Sequence, residues 1–273
     1  MLAVEFGLVN WVVLSIYLSA TIFLGFALSR KVSSADDFFV GRKNIPWWAI
    51  GTSVVATYVS ALSFLGGPAW AYSEGLSVIA IHLNYPIVIF LVIAFFLPFF
   101  FNSGVASIYE YLERRFGPTS RSVISFIFLI SQSLTTSAVL YATALVIEFI
   151  TGIDVVYAIV IITLVALIYT VMGGIAAVIW TDVIQAFVLF IGAVIIVYAL
   201  INNLSLPLGE TLAILKSEGK TNALNFSFDP TQVSTVWSGV IAMTLFHITV
   251  YGANQMMVQR TLASKSIGDA KKS

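Results

Sequence analysis

The sequence contains no cysteine among its 273 residues, which excludes disulfide bonds and thiolate-ligated metal sites. Charged residues are also scarce, at 10% of the chain, whereas a soluble domain carries about 25%. Lys and Arg together number 13, as do Asp and Glu, so the net charge is zero and nothing indicates a nucleic-acid partner. With 59% apolar residues, the chain cannot form a water-compatible surface, and its main solvent is predicted to be lipid.

Several catalytic motifs are absent as well. The sequence has no HExxH zinc motif, no GxSxG nucleophile elbow and no GxxxxGK[ST] phosphate loop. The first apolar block lacks the basic region and the small-residue cleavage site of a secretory signal, so it is predicted to be a retained helix. We therefore expect a membrane protein that is not an enzyme and has no organic cofactor.

Seven apolar blocks approach the length of about 20 residues that a bilayer-spanning helix needs. They predict an all-α membrane protein with about seven transmembrane helices. The blocks are Asn10–Leu28, Trp47–Tyr72, Ser77–Phe101, Ser122–Ile150, Val155–Met172, Val183–Ile201 and Val233–Val258.

The basic residues are divided unequally between the loops. Lys216 and Lys220 lie in the long loop before the seventh block. Cytoplasmic loops collect Lys and Arg, so we expect a plasma (inner) membrane protein with its N-terminus outside and its C-terminal tail in the cytoplasm. The other eleven basic residues follow the first, third and seventh blocks: Arg30, Lys31, Arg42, Lys43, Arg114, Arg115, Arg121, Arg260, Lys265, Lys271 and Lys272.

Two loops are predicted to contain short helices. Ser107 and Glu110 form a capping box after the third block, Glu110 and Arg114 form an i,i+4 pair, and Gly117 ends the helix. This helix should lie on the cytoplasmic membrane surface. A second short helix is predicted over residues 208–218 of the outer loop.

The second block contains several hydroxyl residues and then the run Gly66-Gly67-Pro68. Proline removes a backbone donor and clashes with the preceding turn, and transporters use broken helices at the membrane midplane to expose carbonyl groups to a cation. The segment therefore predicts either a helix broken at Gly66 to Pro68 or a proline-kinked packing helix, with equal support for both.

Polar side chains also occur in three other blocks. His82 and Asn84 lie in the third block, a row of hydroxyls with Gln132 in the fourth, and His247 and Asn254 in the seventh. Such groups either bond to neighbouring helices or line a hydrated cavity. A lone histidine such as His247 is more often a satisfied interior group than a ligand.

Asp182 opens the sixth block and has two interpretations. Asp is a favoured N-cap residue and suits the positive end of a helix. A carboxylate close to the membrane can also bind a cation. The residues alone favour the cap.

Four ordered motifs resemble the sodium:solute symporter family, and within it the branch of monocarboxylate, iodide and multivitamin carriers. The most recognisable contains Trp180-Thr181-Asp182, and the others match the segment before the first core helix, the cytoplasmic helix and the sixth core helix. In chain order they are DDFFVGR from Asp36, SIYEYLERRF from Ser107, YTVMGGIAAVIWTDVIQ from Tyr169 and YGANQMMVQR from Tyr251.

The resemblance implies the inverted-repeat fold of the neurotransmitter:sodium symporters, here truncated. Residues 10–28 would be an extra helix, 47–201 the first five-helix repeat and 233–258 the first helix of the second repeat. It also implies sodium-coupled symport of a small organic solute by alternating access, with a monocarboxylate as one candidate and the lipid bilayer as surroundings. The coupling ion would be Na⁺.

The implied site residues fall into two groups. The family's sodium site takes backbone carbonyls from a break in the first core helix, which correspond to Ala56 and Val59, and Asp182 matches an acid near a second cation site. The implied substrate-facing residues are Tyr58, Ser60, Ser63, His82, Thr135 and Asn254.

Two departures from the family pattern accompany the resemblance. Members that bind a bulky acidic sugar have an Arg near the position of Thr135, whereas no Lys or Arg lies inside any predicted span here. The chain also stops at Ser273 with four core helices lacking, so we expect a fragment that does not transport by itself. A solute-sensing domain of a histidine kinase is the alternative function, and a channel or structural subunit fits less well.

Overall fold

The computed structural model describes residues 6–29, 34–39, 41, 43–105 and 107–273. These ranges are almost entirely helical, and their strand pairing is limited to one bridge between Ile45 and Ser264. The prediction of an all-α protein is therefore confirmed for this part of the chain.

Some predictions fall on residues outside those ranges, or on a side chain that the structure does not describe. They concern the basic residues Arg30, Lys31 and Arg42, together with Val40 and the side chain of Asp36 in the motif that precedes the first core helix.

Thirteen α-helices follow one another along the described chain, with one 3₁₀ segment and three π-helical turns among them. The 3₁₀ segment is Gly75–His82, and the π-turns are Val92–Phe96, Ser238–Ala242 and Thr249–Ala253. The helices are α1 Leu8–Ser29, α2 Ala35–Phe39, α3 Trp47–Tyr58, α4 Ala61–Glu74, α5 Tyr85–Leu91, α6 Leu97–Ser103, α7 Ile108–Phe116, α8 Pro118–Thr151, α9 Val155–Asn202, α10 Leu208–Ser217, α11 Met243–Ile248, α12 Gln255–Leu262 and α13 Ile267–Lys272.

Four helical stretches in the described ranges are long and apolar enough to cross a membrane: Leu8–Ser29, Ala61–Ser103, Pro118–Thr151 and Val155–Asn202. A shorter apolar stretch covers Ser238–Ala253. The multi-pass prediction agrees with this pattern. The count of about seven spans is not confirmed, because some predicted blocks are fused and others are divided.

The longest helix, α9, contains both the fifth and the sixth predicted blocks. Its backbone leaves the helical region at Gly174, where φ is 58° and ψ is −155°. Residues from Ile175 onward are helical again, so the second half of α9 begins eight residues before the predicted start at Val183. Asp182 therefore lies inside a helix, and its predicted role as an N-cap is wrong.

The second predicted block is broken, but not where its glycines and proline indicated. Helix α3 ends at Tyr58, Val59 is extended with φ −82° and ψ 116°, and α4 begins at Ala61. Pro68 lies inside α4, which continues through it. The break predicted from the local sequence at Gly66 to Pro68 is wrong, and the position implied by the family resemblance is correct.

The seventh block is broken as well, which the sequence did not predict. The helical segment ends at Ala253, Asn254 is extended with φ −77° and ψ 125°, and α12 begins at Gln255. The Asn254 side chain accepts a hydrogen bond from the Met256 N–H at 2.9 Å and thereby caps α12.

The chain forms two compact units. Unit 1 comprises Met1–Leu62, Val105–Gln185 and Gln259–Ser273, and unit 2 comprises Ser63–Gly104 and Ala186–Val258. The core of unit 1 packs the start of α3 against the second half of α9 and the end of α12. Its buried residues are Ile45, Ala49, Ile50, Ile175, Ile179, Val183 and Ala263.

The short helices largely follow the sequence predictions. In α7, the Ser107 hydroxyl accepts from the Glu110 N–H at 3.1 Å, and Arg114 pairs with Glu110 at 2.5 Å. Helix α10 occupies most of the predicted range in the outer loop. The last residues form α13, which is capped by Ser266.

Candidate functional site

A buried carboxylate cluster lies in unit 1, where α9 crosses α3. The Asp182 side chain accepts a hydrogen bond from the Ser53 hydroxyl at 2.5 Å and another from the Thr57 hydroxyl at 3.3 Å. Ser53 and Thr57 are four residues apart, so they face the same side of α3. The cluster therefore fixes one face of α3 to the second half of α9.

Arg260 of α12 completes this cluster. Its Nη2 atom lies 3.1 Å and its Nε atom 3.4 Å from the Asp182 Oδ2 atom, and Nε also donates to the Ser53 hydroxyl at 3.0 Å. The side chains of Arg260 and Asp182 are only 9% and 14% exposed. A charge pair this buried is expected to be strongly coupled, because removal of either partner leaves the other uncompensated.

The two oxygens of Asp182 differ in their surroundings. Ser53, Thr57 and Arg260 all contact Oδ2, whereas Oδ1 makes no hydrogen bond to any residue that the structure describes. A carboxylate oxygen with available lone pairs is a suitable ligand for a hard cation. Asp182 can therefore hold Arg260 and present a second oxygen at the same time.

The C-terminal end of α3 follows directly on this cluster. Its last helical hydrogen bond runs from the Val59 N–H to the Val55 carbonyl at 3.1 Å. Because the helix stops there, the carbonyls of its last turn, from Ala56 to Val59, lose their regular helical donors. They also carry the negative end of the helix dipole, which favours a cation nearby.

Three of the implied substrate-facing residues lie in unit 1. Tyr58 is the last residue of α3, and Ser60 lies in the break that follows it. Both residues are half-buried. Thr135 is exposed on α8, and its hydroxyl donates back to the Ser131 carbonyl at 2.9 Å. Ser137 and Thr143 of α8 bond to their own helix in the same way. In the described structure each of these hydroxyls therefore donates its hydrogen bond to a carbonyl of its own helix.

The other three implied residues belong to unit 2. Ser63 is exposed in the first turn of α4, and His82 is the exposed last residue of the 3₁₀ segment. Asn254 lies at the second helix break and is half-buried. The implied residues of unit 2 are therefore a hydroxyl, an imidazole and an amide.

His247 is a satisfied interior group, as its surroundings in the sequence indicated. Its ring is fully buried, and its Nδ1 atom lies 2.7 Å from the Nδ2 atom of Asn84, which is also fully buried. The ring of Tyr85 stacks on His247 at a centroid distance of 4.9 Å.

Unit 2 also encloses a cavity of about 580 Å³ between α4 and the loop that connects α10 to the π-turn Ser238–Ala242. Lys220 supports this region by donating to the carbonyls of Tyr72 and Ser73 at the end of α4. The lining is mainly polar, with one carboxylate and two large aromatic rings: Trp70, Glu74, Ser77, Gly219, Asn222, Leu224, Asn225, Phe226, Thr231, Gln232, Val233 and Ser234.

Sequence reasoning missed three members of the carboxylate cluster. The sequence places Arg260 only in the predicted cytoplasmic charge pattern. It shows Ser53 and Thr57 only as two of the hydroxyl residues in the second block. The spacing of Ser53 and Thr57 was an available signal for a polar helix face. No sequence signal connects that face to Asp182 or to Arg260.

Comparisons with known proteins agree with this architecture. The family model of the sodium:solute symporter family matches residues 38–273. The sodium/glucose cotransporter of Vibrio parahaemolyticus is 32% identical over 283 residues, covering 98% of this chain and 52% of that protein. The sodium-coupled monocarboxylate transporter 2 of Bos taurus is 32% identical over 244 residues, covering 89% of this chain and 39% of that protein.

A solved structure is also similar. It is the substrate-bound, outward-open state of a Na⁺-coupled sialic acid symporter, with a TM-score of 0.88 and 35% identity. The match covers 98% of this chain and 56% of that one. This chain thus spans about half the length of the sialic acid symporter and of the Vibrio cotransporter, and less of the Bos taurus protein.

The family model covers most of the chain, the similar proteins named above are sodium-coupled transporters, and the helix break and buried acid lie in the matched region. The chain belongs to the sodium:solute symporter family.

Proposed function

We propose that the whole protein carrying this chain is a sodium-coupled symporter that moves a small organic solute across the plasma (inner) membrane by alternating access. The observation that supports this most directly is the break at Val59 and Ser60 within an apolar helical segment. Non-helical backbone at membrane depth persists only where protein or a cavity satisfies it, and broken helices bind coupling ions in transporters.

The proposed sodium ligands lie in unit 1. They are the backbone carbonyls of Ala56 and Val59 at one site and the Oδ1 atom of Asp182 near a second cation site. All are hard oxygen donors, which suit an alkali cation. Bound sodium would hold the end of α3 in one conformation and thereby raise solute affinity, which is a coupling free energy between two sites.

The solute-facing residues that the resemblance implies are proposed with their local settings. In unit 1 they are Tyr58, Ser60 and Thr135, each with a hydroxyl, and in unit 2 they are Ser63, His82 and Asn254, each with a polar group; each set is proposed by itself. A monocarboxylate is the first solute to test, because the sequence resembles that branch of the family and a monocarboxylate transporter is a relative.

The arrangement in the membrane is also a proposal. The N-terminus lies outside and the C-terminal tail inside, in agreement with the distribution of Lys and Arg. Residues 10–28 form an extra helix, 47–201 the first repeat and 233–258 the first helix of the second repeat.

Uptake by the whole protein in proteoliposomes tests the proposed function. Accumulation of solutes from a panel that includes small monocarboxylates and monosaccharides is compared with and without an inward sodium gradient. At least one solute should accumulate faster with the gradient. If no solute in the panel responds to sodium, the proposal is wrong.

The role of Asp182 is tested in the same assay. We expect Asp182→Ala to raise the sodium concentration for half-maximal uptake about tenfold or more, which corresponds to about 1.4 kcal/mol. Since this change removes the carboxylate that pairs with the buried Arg260, the double variant Asp182→Asn/Arg260→Gln is measured beside it. Asp154→Ala is the matched control, because Asp154 only caps α9 through the Val156 N–H at 2.9 Å. An unchanged sodium titration in both Asp182 variants would make the cluster purely structural.

A further inference from the structure

Four aromatic rings of unit 2 form a connected group, which we call the ring cluster: His82, Tyr85, His247 and Tyr251. The rings of His82 and Tyr85 stack at a centroid distance of 5.3 Å with an interplanar angle of 21°. Tyr85 also stacks on His247, at 4.9 Å and 26°. Tyr251 meets Tyr85 edge-on at 6.1 Å and lies 5.9 Å from His247. The exposed imidazole of His82 is therefore linked by rings to a fully buried one.

A hydrogen bond between Asn84 and His247 holds the buried end of the ring cluster. Asn84 Nδ2 donates to His247 Nδ1 at 2.7 Å, so the proton of this imidazole is carried by Nε2. Both side chains are fully buried, and Asn84 Oδ1 has no hydrogen-bond partner among the described residues. Rotation of the His247 ring would leave the amide without its remaining partner, and an unpaired buried polar group is costly.

The backbone that bears His82 is held close to a neighbouring segment. The 3₁₀ segment Gly75–His82 packs against the π-turn Ser238–Ala242, where a Cβ atom at Gly239 would lie only 1.9 Å from the Ala80 carbonyl oxygen. No side chain other than hydrogen fits there. His82 is thus supported by its backbone on one side and by the ring of Tyr85 on the other.

We propose that Asn84, Tyr85 and His247 are positioning residues that hold the His82 imidazole in a single orientation for the solute. The inference rests on the proposed function, in which His82 faces the solute. It adds that solute affinity depends on a buried amide–imidazole hydrogen bond that touches neither solute nor sodium.

The first test uses the kinetics of sodium-driven uptake. Asn84→Leu and His247→Phe each remove one partner of the buried bond, and each should raise the KM for the solute about threefold to tenfold, within the range of measured couplings between contacting residues. The Vmax per folded transporter should change less than about twofold. The double variant removes both polar partners while retaining a ring at position 247, so its KM should return towards that of the parent.

Coupling to His82 separates positioning from a general structural role. In a His82→Ala background, Asn84→Leu and His247→Phe should have no further effect on KM, because the side chain that they orient is gone. Asn202→Leu is the matched control, since among the described residues the Asn202 amide bonds to the Tyr198 carbonyl of its own helix, at 3.0 Å. Unchanged KM in both single variants, or an equal increase in both backgrounds, would overturn the proposal.

A second measurement needs no transport. The chain has two histidines, so ¹⁵N-histidine labelling gives two imidazole environments from it, assigned by their loss in His82→Ala and His247→Phe. Asn84→Leu should shift the ring nitrogens of both histidines, although the described hydrogen bond of the Asn84 side chain is to His247 and not to His82. An unmoved His82 signal would overturn the proposal even if uptake is normal. If uptake does not respond to sodium but the His82 signal moves, the proposed function fails and the positioning stands.

Discussion

At the scale of single residues, the hydroxyl of Ser53 connects the two charges of the carboxylate cluster. It is fully buried, donates to Asp182 and accepts from Arg260. We expect Ser53→Ala to lower the free energy of unfolding by about 1.5–3 kcal/mol, the usual contribution of a hydrogen bond to a charged group. Thermal unfolding in detergent measures the change.

The neighbouring residue supplies the control for this prediction. The Thr52 hydroxyl bonds only to the Trp48 carbonyl of its own helix, at 2.8 Å. Thr52→Ala should therefore alter stability by no more than about 0.5 kcal/mol, as is usual for substitutions away from such networks. Equal losses in the two variants would show that the Ser53 hydroxyl has no special role.

Individual residues also show how far the sequence could predict the site. Asp182 was identified as a candidate because of its motif and its place beside an apolar block. Its partner Arg260 is 78 residues away and was assigned to a cytoplasmic loop. A pairing over this distance depends on how α9 and α12 pack, and no local pattern encodes that packing.

At the scale of helices, the kink of α9 depends on Gly174. Its φ of 58° and ψ of −155° lie in a region that is essentially restricted to glycine. A Cβ atom there would also lie 2.6 Å from the Phe38 carbonyl oxygen. Gly174→Ala should therefore destabilise the protein by about 1–3 kcal/mol from backbone strain alone.

Gly192 in the same helix is a matched control. It has helical backbone geometry, and among the described residues no atom outside its neighbours and its own helix backbone lies within 4 Å of the position its Cβ would take. Gly192→Ala should be neutral or stabilising by about 0.5–1 kcal/mol, because alanine loses less backbone entropy in a helix. Thermal unfolding should show a loss of stability in Gly174→Ala and no loss in Gly192→Ala. A loss in Gly192→Ala equal to that in Gly174→Ala would contradict this explanation of the kink.

The helix breaks show why local signals were insufficient. Proline normally breaks a helix because it lacks the N–H donor, and this made Pro68 the predicted break point. Helices in membranes nevertheless tolerate proline when nearby groups satisfy the freed carbonyl. The actual break at Val59 and Ser60 contains neither glycine nor proline. The fixed face of α3, with Ser53 and Thr57 bonded to Asp182, indicates that tertiary contacts determine where this helix ends.

At the scale of the whole molecule, composition and hydropathy were sufficient for the class, and ordered motifs were sufficient for the family. Both signals are sums over many residues, so misjudging the role of one residue changes them little. The number of spans is a different kind of property. It depends on single points such as Gly174 and Val59, where a helix bends or stops without a change in hydropathy.

The orientation in the membrane is a property of the whole chain, and its lack of cysteine makes it directly measurable. Lys216 at the end of α10 and Arg115 at the end of α7 are both exposed and lie on opposite predicted sides. A thiol reagent that cannot cross membranes should label Lys216→Cys in intact cells and Arg115→Cys only after permeabilisation, with the parent protein as the blank. The physical reason is that the loops rich in Lys and Arg are retained in the cytoplasm. The reverse pattern would invert the proposed topology and would place α7 outside the cell. Labelling of both variants in intact cells would show that these two loops are on the same side.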